Sequence, residues 1–171
     1  METKTLESER LILRSPSIED AEALFEFKKL PELYTYTINP AYESFDVYKE
    51  MLKENIDSDY AFWVIETKEE NMVVGEISIE NPNKKYKNCD VGILISPEHG
   101  GKGYATEAVL KLLEYLKENK YHRVGWNSWD GNIASMRLAE KCGFQKEAVL
   151  KDARFKDGKF YNLHIFAKIL D

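Results

Sequence analysis

The clearest hydrophobic pattern in the chain is a helical stripe that begins just after Gly103. Its apolar positions follow one another at alternating steps of three and one: Ala105, Ala108, Val109, Leu112, Leu113 and Leu116. Charged residues, among them Lys111 and Glu118, lie on the opposite side. This periodicity predicts an amphipathic helix with one face on the core.

Shorter apolar runs on both sides of this helix are typical of β-strands. They cover Leu6–Arg14, Ala61–Glu66, Met72–Ile79, Val91–Ile95 and Val124–Trp129, with two closing strands around Val149–Phe155 and Phe160–Ile169. The polar Lys68–Asn71 segment predicts a hairpin between the second and third runs. Asp157-Gly158 is a strong hairpin signal between the last two.

Capping residues predict three further helices. Ser17 is followed three positions later by Asp20, a pattern that opens the first helix, and Ser44 is placed to open the second. Asn132 would cap a short third helix that ends at Gly143.

Strands interleaved with helices and followed by a terminal hairpin predict an α/β fold. We expect a single domain over residues 1–171, with a mixed, mostly antiparallel central sheet flanked by helices and a C-terminal hairpin. The composition, 43% apolar and 32% charged, is ordinary for a globular protein. No repeat, low-complexity segment or domain linker interrupts the pattern.

Charge and targeting signals narrow the function classes. The net charge of −6 argues against a non-specific nucleic-acid binder and is compatible with a cationic ligand. No apolar run is long enough to span a bilayer, and the first residues lack the apolar core of a secretory signal. Two cysteines are too few for a disulfide scaffold, which favours a reducing cytoplasm.

The strongest candidate chemistry lies in the segment His99–Thr106, between the strand Val91–Ile95 and the long helix. Its three glycines, Gly100, Gly101 and Gly103, permit sharp turns and close approach of a ligand to the backbone. A helix N-terminus adds free N–H groups and the positive end of its dipole. Strand, glycine turn and helix start together predict a site for a phosphate or pyrophosphate group.

The spacing of the glycines indicates which class of phosphorylated ligand this segment could bind. A Walker loop would require glycine at Ser96 and a hydroxyl residue at Gly103, so that motif fails twice. A Rossmann fingerprint would require its third glycine at Thr106 and an acidic residue near Tyr121–Arg123. Both nucleotide-binding patterns are therefore weak.

A third pattern fits better. Gly100–Ala105 resembles the [QR]-x-x-G-x-[GA] segment of the GNAT superfamily of N-acetyltransferases, whose loop binds the pyrophosphate of acetyl-CoA. The sequence departs from it at Gly100, which stands at the Gln/Arg position. Without that side chain, more of the phosphate binding falls to backbone N–H groups and to Lys102.

Three other segments, in the same order along the chain, are similar to the branch that acetylates ribosomal-protein N-termini. Thr5–Arg14 with Ile18–Ala21 resembles the opening of that branch, Asn132–Phe144 resembles its N-x-x-S…E-K-x-G-F block, and Asp157–Tyr161 resembles its C-terminal hairpin tip. The resemblance covers nearly the whole chain. It implies the GNAT fold, with a splay between its fourth and fifth strands.

The resemblance also implies the cofactor site. Acetyl-CoA would be held by His99, Gly100, Gly101, Lys102, Gly103, Tyr104, Ala105 and Thr106, with pantetheine along the strand edge of Ile93, Leu94 and Ile95 and beside Asn132 and Ser135. An exposed strand edge can bind such an arm through its backbone. From the pattern alone, Asn132 is also interpretable as a helix cap and Ser135 as a small packing residue.

Two residues are candidates for the chemistry of acetyl transfer. Ser135 matches the serine that the branch places near the CoA sulfur, where it would protonate the departing thiolate. Asp90, which we expect just before the Val91 strand, would take the proton of the acceptor amine or is simply an exposed acid. Glu76 and Glu80 are weaker candidates that would share one face of the neighbouring strand with Ser78.

The sequence therefore predicts a cytoplasmic N-acetyltransferase that moves an acetyl group from acetyl-CoA directly to a primary amine. The acceptor is a protein N-terminus, an amino acid, a polyamine or a drug-like amine, and a basic protein tail suits the acidic chain. The aromatic segment with Tyr34, Tyr36, Tyr42 and Phe45 would wall the acceptor pocket or fill the core.

Alternatives from other classes remain open at this point. One is a catalytically idle acyl-CoA-binding sensor or scaffold, and another is a nucleotide-binding protein with the same glycine loop. We expect no bound metal, since no Cys/His cluster has zinc-ligand spacing, and no nucleic-acid or membrane partner. Relatives of this kind also imply a homodimer.

Overall fold

The computed structural model describes residues 3–58 and 60–171, and the strands within these ranges form one eight-stranded sheet in the order β1-β2-β3-β4-β5-β6-β8-β7. The strands are β1 (Leu6–Glu7), β2 (Leu11–Arg14), β3 (Ala61–Thr67), β4 (Val73–Asn83), β5 (Asn88–Ile95), β6 (Arg123–Trp129), β7 (Gln145–Lys156) and β8 (Lys159–Ile169). Neighbouring strands are antiparallel except β5 and β6.

Helices cover both faces of this sheet. They are α1 (Ala21–Lys28), α2 (Phe45–Asp57), α3 (Tyr104–Glu118) and α4 (Ile133–Lys141), with short 3₁₀ turns at Ile18–Asp20, Pro31–Tyr34 and Pro97–His99. The predicted caps are present: Ser17 and Asp20 form a capping box, the Ser44 side chain accepts from the Val47 N–H, and Asn132 caps α4. The predicted mixed, mostly antiparallel sheet with flanking helices and a C-terminal hairpin is confirmed.

The core has two parts, one on each face of the sheet. On one face, α3 and α4 pack on strand residues such as Trp63, Ile77 and Val124. On the other face, α1 and α2 pack on Phe62 and Val64. Alternate residues of β3 thus serve different helical layers, because successive side chains of a strand point to opposite faces.

Three element boundaries differ from the sequence prediction. The Leu6–Arg14 run is two strands, since a turn held by the Ser8 N–H to Leu11 carbonyl bond folds β1 back onto β2. Strand β5 begins at Asn88, so Asp90 lies within it rather than before it. Strand β7 begins at Gln145 rather than near Val149, because its pairing with β8 extends back to Gln145 and Ala167.

Strands β5 and β6 stay together for only three residues. Asn88–Asp90 pair with Arg123–Gly125, and beyond that point the two strands separate. The edge of β5 that faces β6 therefore has no ladder partner from Val91 to Ile95. This is the splay that the resemblance implied. The fourth and fifth strands of the fold are β5 and β6 here, because the first predicted strand forms both β1 and β2. The splay opens a cleft in the middle of the sheet.

Candidate active site

The glycine turn leads directly into α3 with a backbone suited to an anion. Gly101 and Gly103 have φ of +74° and +84°, in the left-handed region that favours glycine. Gly103 is the N-cap of α3 and supplies no side-chain cap. The N–H groups of the first helical turn, at Tyr104, Ala105 and Thr106, therefore point outward without an intrahelical acceptor.

Arg10 holds this turn from a distant part of the chain. Its Nε and Nη2 each lie 2.7 Å from Glu107 Oε2, and its Nη1 donates to the Lys102 carbonyl at 3.0 Å. The guanidinium also lies 4.9 Å from the centre of the Tyr104 ring. Sequence reasoning missed Arg10, since it is 97 residues away from Glu107 and no local pattern joins them.

Two basic side chains lie beside the glycine turn. Lys102 Nζ is 3.3 Å from His99 Nδ1, and the Lys102 side chain is exposed. The pair adds positive charge at the rim of the α3 N-terminus. His122 forms backbone hydrogen bonds with the Lys87 and Leu170 peptide groups just before β6.

The splay forms a cleft of about 560 Å³ that brings half of the predicted site residues together. One wall is β5 and the other is β6 with α4. The predicted residues that line it are Asp90, Ile93, Leu94, Ile95, Ala105, Asn132 and Ser135. The glycines, His99 and Lys102 lie outside the cleft, next to the N-terminus of α3.

Ser135 is oriented by a tryptophan on the same wall of the cleft. The Trp126 indole N–H donates to Ser135 Oγ at 3.0 Å, and the Asn132 side chain accepts from the Ser135 backbone N–H at 3.2 Å. An indole N–H can only donate, so the Ser135 hydroxyl proton is left for another acceptor. Both Ser135 and Asn132 line the cleft, and Asn132 is at the same time the α4 cap.

A second cavity of about 440 Å³ lies on the α1/α2 face of the sheet. The two cavities adjoin, since both are lined by Leu33, Thr37, Glu80, Gly92, Ile93 and Leu94. Along β4, Glu76, Ser78 and Glu80 all line this second cavity, as strand alternation predicted.

Glu80 lies at the junction of the two cavities. A β-carbon on Gly92 would be 2.4 Å from Glu80 Oε1, so only glycine leaves room for the carboxylate there. Ser78 Oγ lies 3.3 Å from the same oxygen. Glu80 is an exposed residue as a whole, but partial burial of its carboxyl raises the pKa of that group. The charges of Asp90 and Glu76 add to this rise, while Ser78 opposes it.

The other two candidate acids have partners. Glu76 Oε1 forms an ion pair with Lys28 Nζ at 2.6 Å. Asp90 accepts from Asn81 Nδ2 at 3.1 Å and lies over Gly125, where a β-carbon would be 2.0 Å from its Oδ1. Among the three acids, Glu80 alone has no nitrogen donor among the described residues.

The aromatic segment divides between the two roles considered for it. Tyr34 and Tyr42 line the second cavity, whereas Phe45 packs in the core with its ring centre 5.5 Å from that of Phe25. Tyr36 lies against the Gly131 turn on the opposite side of the splay and lines the first cleft. The segment thus extends across the opening between β5 and β6.

The cysteines lie outside this chemistry. Cys89 and Cys142 are both buried and unbonded. Burial raises the pKa of the Cys89 thiol to about 12 and raises that of Cys142 as well, so both stay protonated near neutral pH. Within residues 3–58 and 60–171, no three or more His, Cys, Asp or Glu side chains are grouped to hold a metal, and no helix is long and apolar enough to cross a bilayer.

Comparison with known proteins identifies this arrangement. The family model of the acetyltransferase (GNAT) domain matches residues 10–145. An uncharacterized N-acetyltransferase of Bacillus subtilis, YoaA, is 29% identical over 170 residues, which cover 95% of this chain and 94% of the relative.

Solved structures share the fold over almost the full length. The ribosomal L7/L12 alpha-N-protein acetyltransferase RimL, in complex with coenzyme A, superposes with a TM-score of 0.88 at 21% identity, over 98% of this chain and 99% of that one. The spermidine N-acetyltransferase of Vibrio cholerae, in complex with CoA and spermine, gives 0.84 at 24% identity, over 94% and 95%.

The predicted family and enzyme class are therefore confirmed, with acetyl-CoA as the donor and an amine as the acceptor. Nothing in the comparisons supports the idle-module or nucleotide-binding alternatives. The family model matches residues 10–145, and the sheet opens between β5 and β6 as the resemblance implied, so this protein belongs to the GNAT family of acetyltransferases.

Proposed function

We propose that the protein acetylates a primary amine that arrives as an ammonium ion, with Glu80 as the proton acceptor and Ser135 as the donor to the leaving thiolate. The observation that carries this proposal is the Glu80 carboxylate at the junction of the two cavities, without a nitrogen donor among the described residues. A carboxylate that lines a cleft and has a raised pKa is a stronger base than an ordinary carboxylate and is suited to take a proton from the acceptor.

Acetyl-CoA would lie along the splay. Its pyrophosphate would bind the N–H groups of the turn from Gly101 to Thr106, assisted by His99 and Lys102. Its pantetheine arm would follow the free edge of Ile93–Ile95 opposite Asn132. The thioester would then lie near Ser135, in the cleft that Glu80 also lines.

Acetyl transfer then proceeds in one direct sequence. Glu80 removes a proton from the ammonium, and the neutral nitrogen attacks the thioester carbonyl to form a tetrahedral intermediate. As the intermediate collapses, the C–S bond breaks and the Ser135 hydroxyl donates its proton to the developing thiolate. The second proton of the attacking nitrogen returns to Ser135 through water, so the products are the amide, the CoA thiol and the protonated Glu80 carboxyl. No enzyme nucleophile takes part, which agrees with two buried, protonated cysteines.

Asp90 has a different part in this proposal from the one its position in the sequence indicated. It is the cross-strand neighbour of Glu80, and its charge raises the pKa of the Glu80 carboxyl. Its own carboxylate already accepts from Asn81 and lies against Gly125. We propose that Asp90 tunes Glu80 rather than contacting the amine.

The proposal also covers the class of acceptor, the cellular location and the partners of the enzyme. The relatives named for spermidine and ribosomal protein act on amines of very different size, and this chain's acidic cavity suits a small amine or an unfolded N-terminus. A cytoplasmic location is supported by two free buried cysteines. A homodimer and a basic protein N-terminus as partner stay predictions.

The experiment is a panel of primary amines and short basic peptides, mixed with enzyme and acetyl-CoA, with free CoA and the mass of the product as readouts. We expect CoA release equal to N-acetylated product, and intersecting initial-rate lines as required for direct transfer. Tight acetyl-CoA binding without amine-dependent CoA release would overturn the proposal in favour of an idle module.

A further inference from the structure

A lysine of the protein itself already occupies part of the acceptor cavity. Lys28, in the last turn of α1, reaches across to β4 and pairs with Glu76 at 2.6 Å. Its side chain is only 12% exposed, and its ammonium lies 5.6 Å from the centre of the Tyr48 ring. All three residues line the cavity that contains Glu80.

The surroundings of this ammonium are those of a cation-binding site. A carboxylate and an aromatic face are the groups by which proteins recognise ammonium ligands. Glu76 and the rings of Tyr42 and Tyr48 form such a site, and the two rings lie 5.0 Å apart, edge to face. The cation subsite at Glu76 is therefore filled from within the chain.

An exposed ion pair at the adjacent position shows the contrast. Lys29 pairs with Glu26 on the solvent side of α1, with side chains 41% and 70% exposed. Such surface pairs contribute little to stability. The Lys28–Glu76 pair instead loses much of its water, and desolvation of two charges costs free energy that their attraction only partly recovers. A tether between α1 and β4 would not require it, since apolar residues could pack there.

We propose that Lys28 sets acceptor specificity: it fills the inner cation subsite at Glu76, so that the enzyme takes acceptors with a single ammonium, bound at Glu80, and discriminates against diamines. This inference rests on the proposed function. Glu76 and Glu80 are four residues apart on β4, so their Cα atoms lie roughly 13 Å apart. A diamine long enough to reach both would meet the Lys28 charge at its second end.

The test compares matched amines on matched variants. Straight-chain monoamines and α,ω-diamines of four to ten carbons are assayed for kcat/KM by CoA release. Wild-type enzyme should prefer each monoamine over its diamine by at least tenfold. Lys28→Ala, which frees Glu76 and opens space, should reduce that preference at least tenfold, most strongly for the longer chains. Lys29→Ala, the exposed neighbour, should leave it unchanged.

Lys28→Met controls for misfolding of Lys28→Ala, because it removes the charge and keeps most of the apolar part of the side chain. It should shift the preference in the same direction as Lys28→Ala. Equal use of monoamines and diamines by the wild type, or an equal loss for both in the two Lys28 variants, would overturn the inference.

Binding separates this inference from the proposed function. If no amine is turned over, the proposed function fails, and calorimetry of the CoA complex with a diamine still decides the role of Lys28. Diamine affinity should rise at least tenfold in Lys28→Ala. An unchanged affinity would remove Lys28 as the specificity residue.

Discussion

The cofactor turn and the acceptor cavity are built in opposite ways. The turn from Gly101 to Thr106 is one continuous segment whose proposed binding groups are backbone N–H groups at the start of α3. The acceptor cavity is built from side chains of α1, α2, β4, β5 and the segment before α2. A backbone site depends on conformation, whereas a side-chain site depends on the identity of each residue that reaches it.

This difference separates binding of the acetyl donor from recognition of the acceptor amine. Acetyl-CoA needs the same phosphate contacts whatever amine is acetylated, so a local backbone site suffices. The acceptor is recognised by charge and shape, which Glu76, Glu80 and Lys28 supply from three separate positions. Substitutions in the two regions should therefore affect different kinetic constants.

The largest effect is expected at Glu80. Glu80→Gln keeps the shape of the side chain but cannot take a proton, so kcat/KM for the amine should fall about 10²- to 10⁴-fold. Acetyl-CoA affinity, measured by calorimetry, should stay within about twofold. Glu70→Gln, in the exposed turn before β4, is the control. Wild-type rates in Glu80→Gln would return the proton-accepting role to Asp90 or to water.

Ser135→Ala tests the proposed donation of a proton to the leaving thiolate. Ser135→Ala removes a donor used mainly as the thiolate develops, so kcat should fall by about ten- to a hundredfold with acetyl-CoA affinity within a few-fold. Thiolate is already a good leaving group, which limits the loss. A loss of binding alone would make Ser135 a cofactor contact, and no change in either would leave it a packing residue.

The cofactor turn should respond in affinity rather than rate. Gly103→Val forces a branched side chain into φ of +84°, so acetyl-CoA affinity should fall about tenfold, or about 1.4 kcal/mol, by calorimetry. Gly158→Val carries comparable strain, at φ of +76°, in the remote β7–β8 turn and should bind normally. Equal affinities in a folded Gly103→Val protein would remove the turn from the binding site.

The smallest effect is a shift in pH dependence from Asp90→Asn. Asp90 repels the ionised form of Glu80 and so raises the pKa of that carboxyl. Without the Asp90 charge, Glu80 ionises at lower pH, and the acidic limb of the kcat/KM profile should move to lower pH. Because charges in a wet cleft interact by roughly 1 kcal/mol, the shift should be less than about one pH unit. If kcat/KM of Asp90→Asn falls strongly at every pH instead, Asp90 is the proton acceptor.

Local pattern predicted the elements that depend on local physics. The α3 stripe, the three caps and the Asp157-Gly158 turn appear where the sequence placed them, because periodicity, capping and turn chemistry act within a few residues. The β5 boundary was less clear, since Asn88 and Asp90 join the strand only through their pairing with β4 and β6.

Long-range contacts decided what the pattern could not. No local signal links Arg10 to Glu107, Lys28 to Glu76 or Trp126 to Ser135, because each pair meets only after the chain has folded. The same holds for the choice among acids. Alternation placed Glu76 and Glu80 on one face, but only the folded sheet left Glu80 without a cation.

The sequence by itself thus determined the family, the elements and the glycine turn before α3, all of which rest on residues close together along the chain. The tertiary structure decided the acceptor cavity, the partner of each acid and the orientation of the donor serine. The physical reason is that backbone geometry is set by neighbours in sequence. The charge state and orientation of a side chain in a cleft are set by neighbours in space.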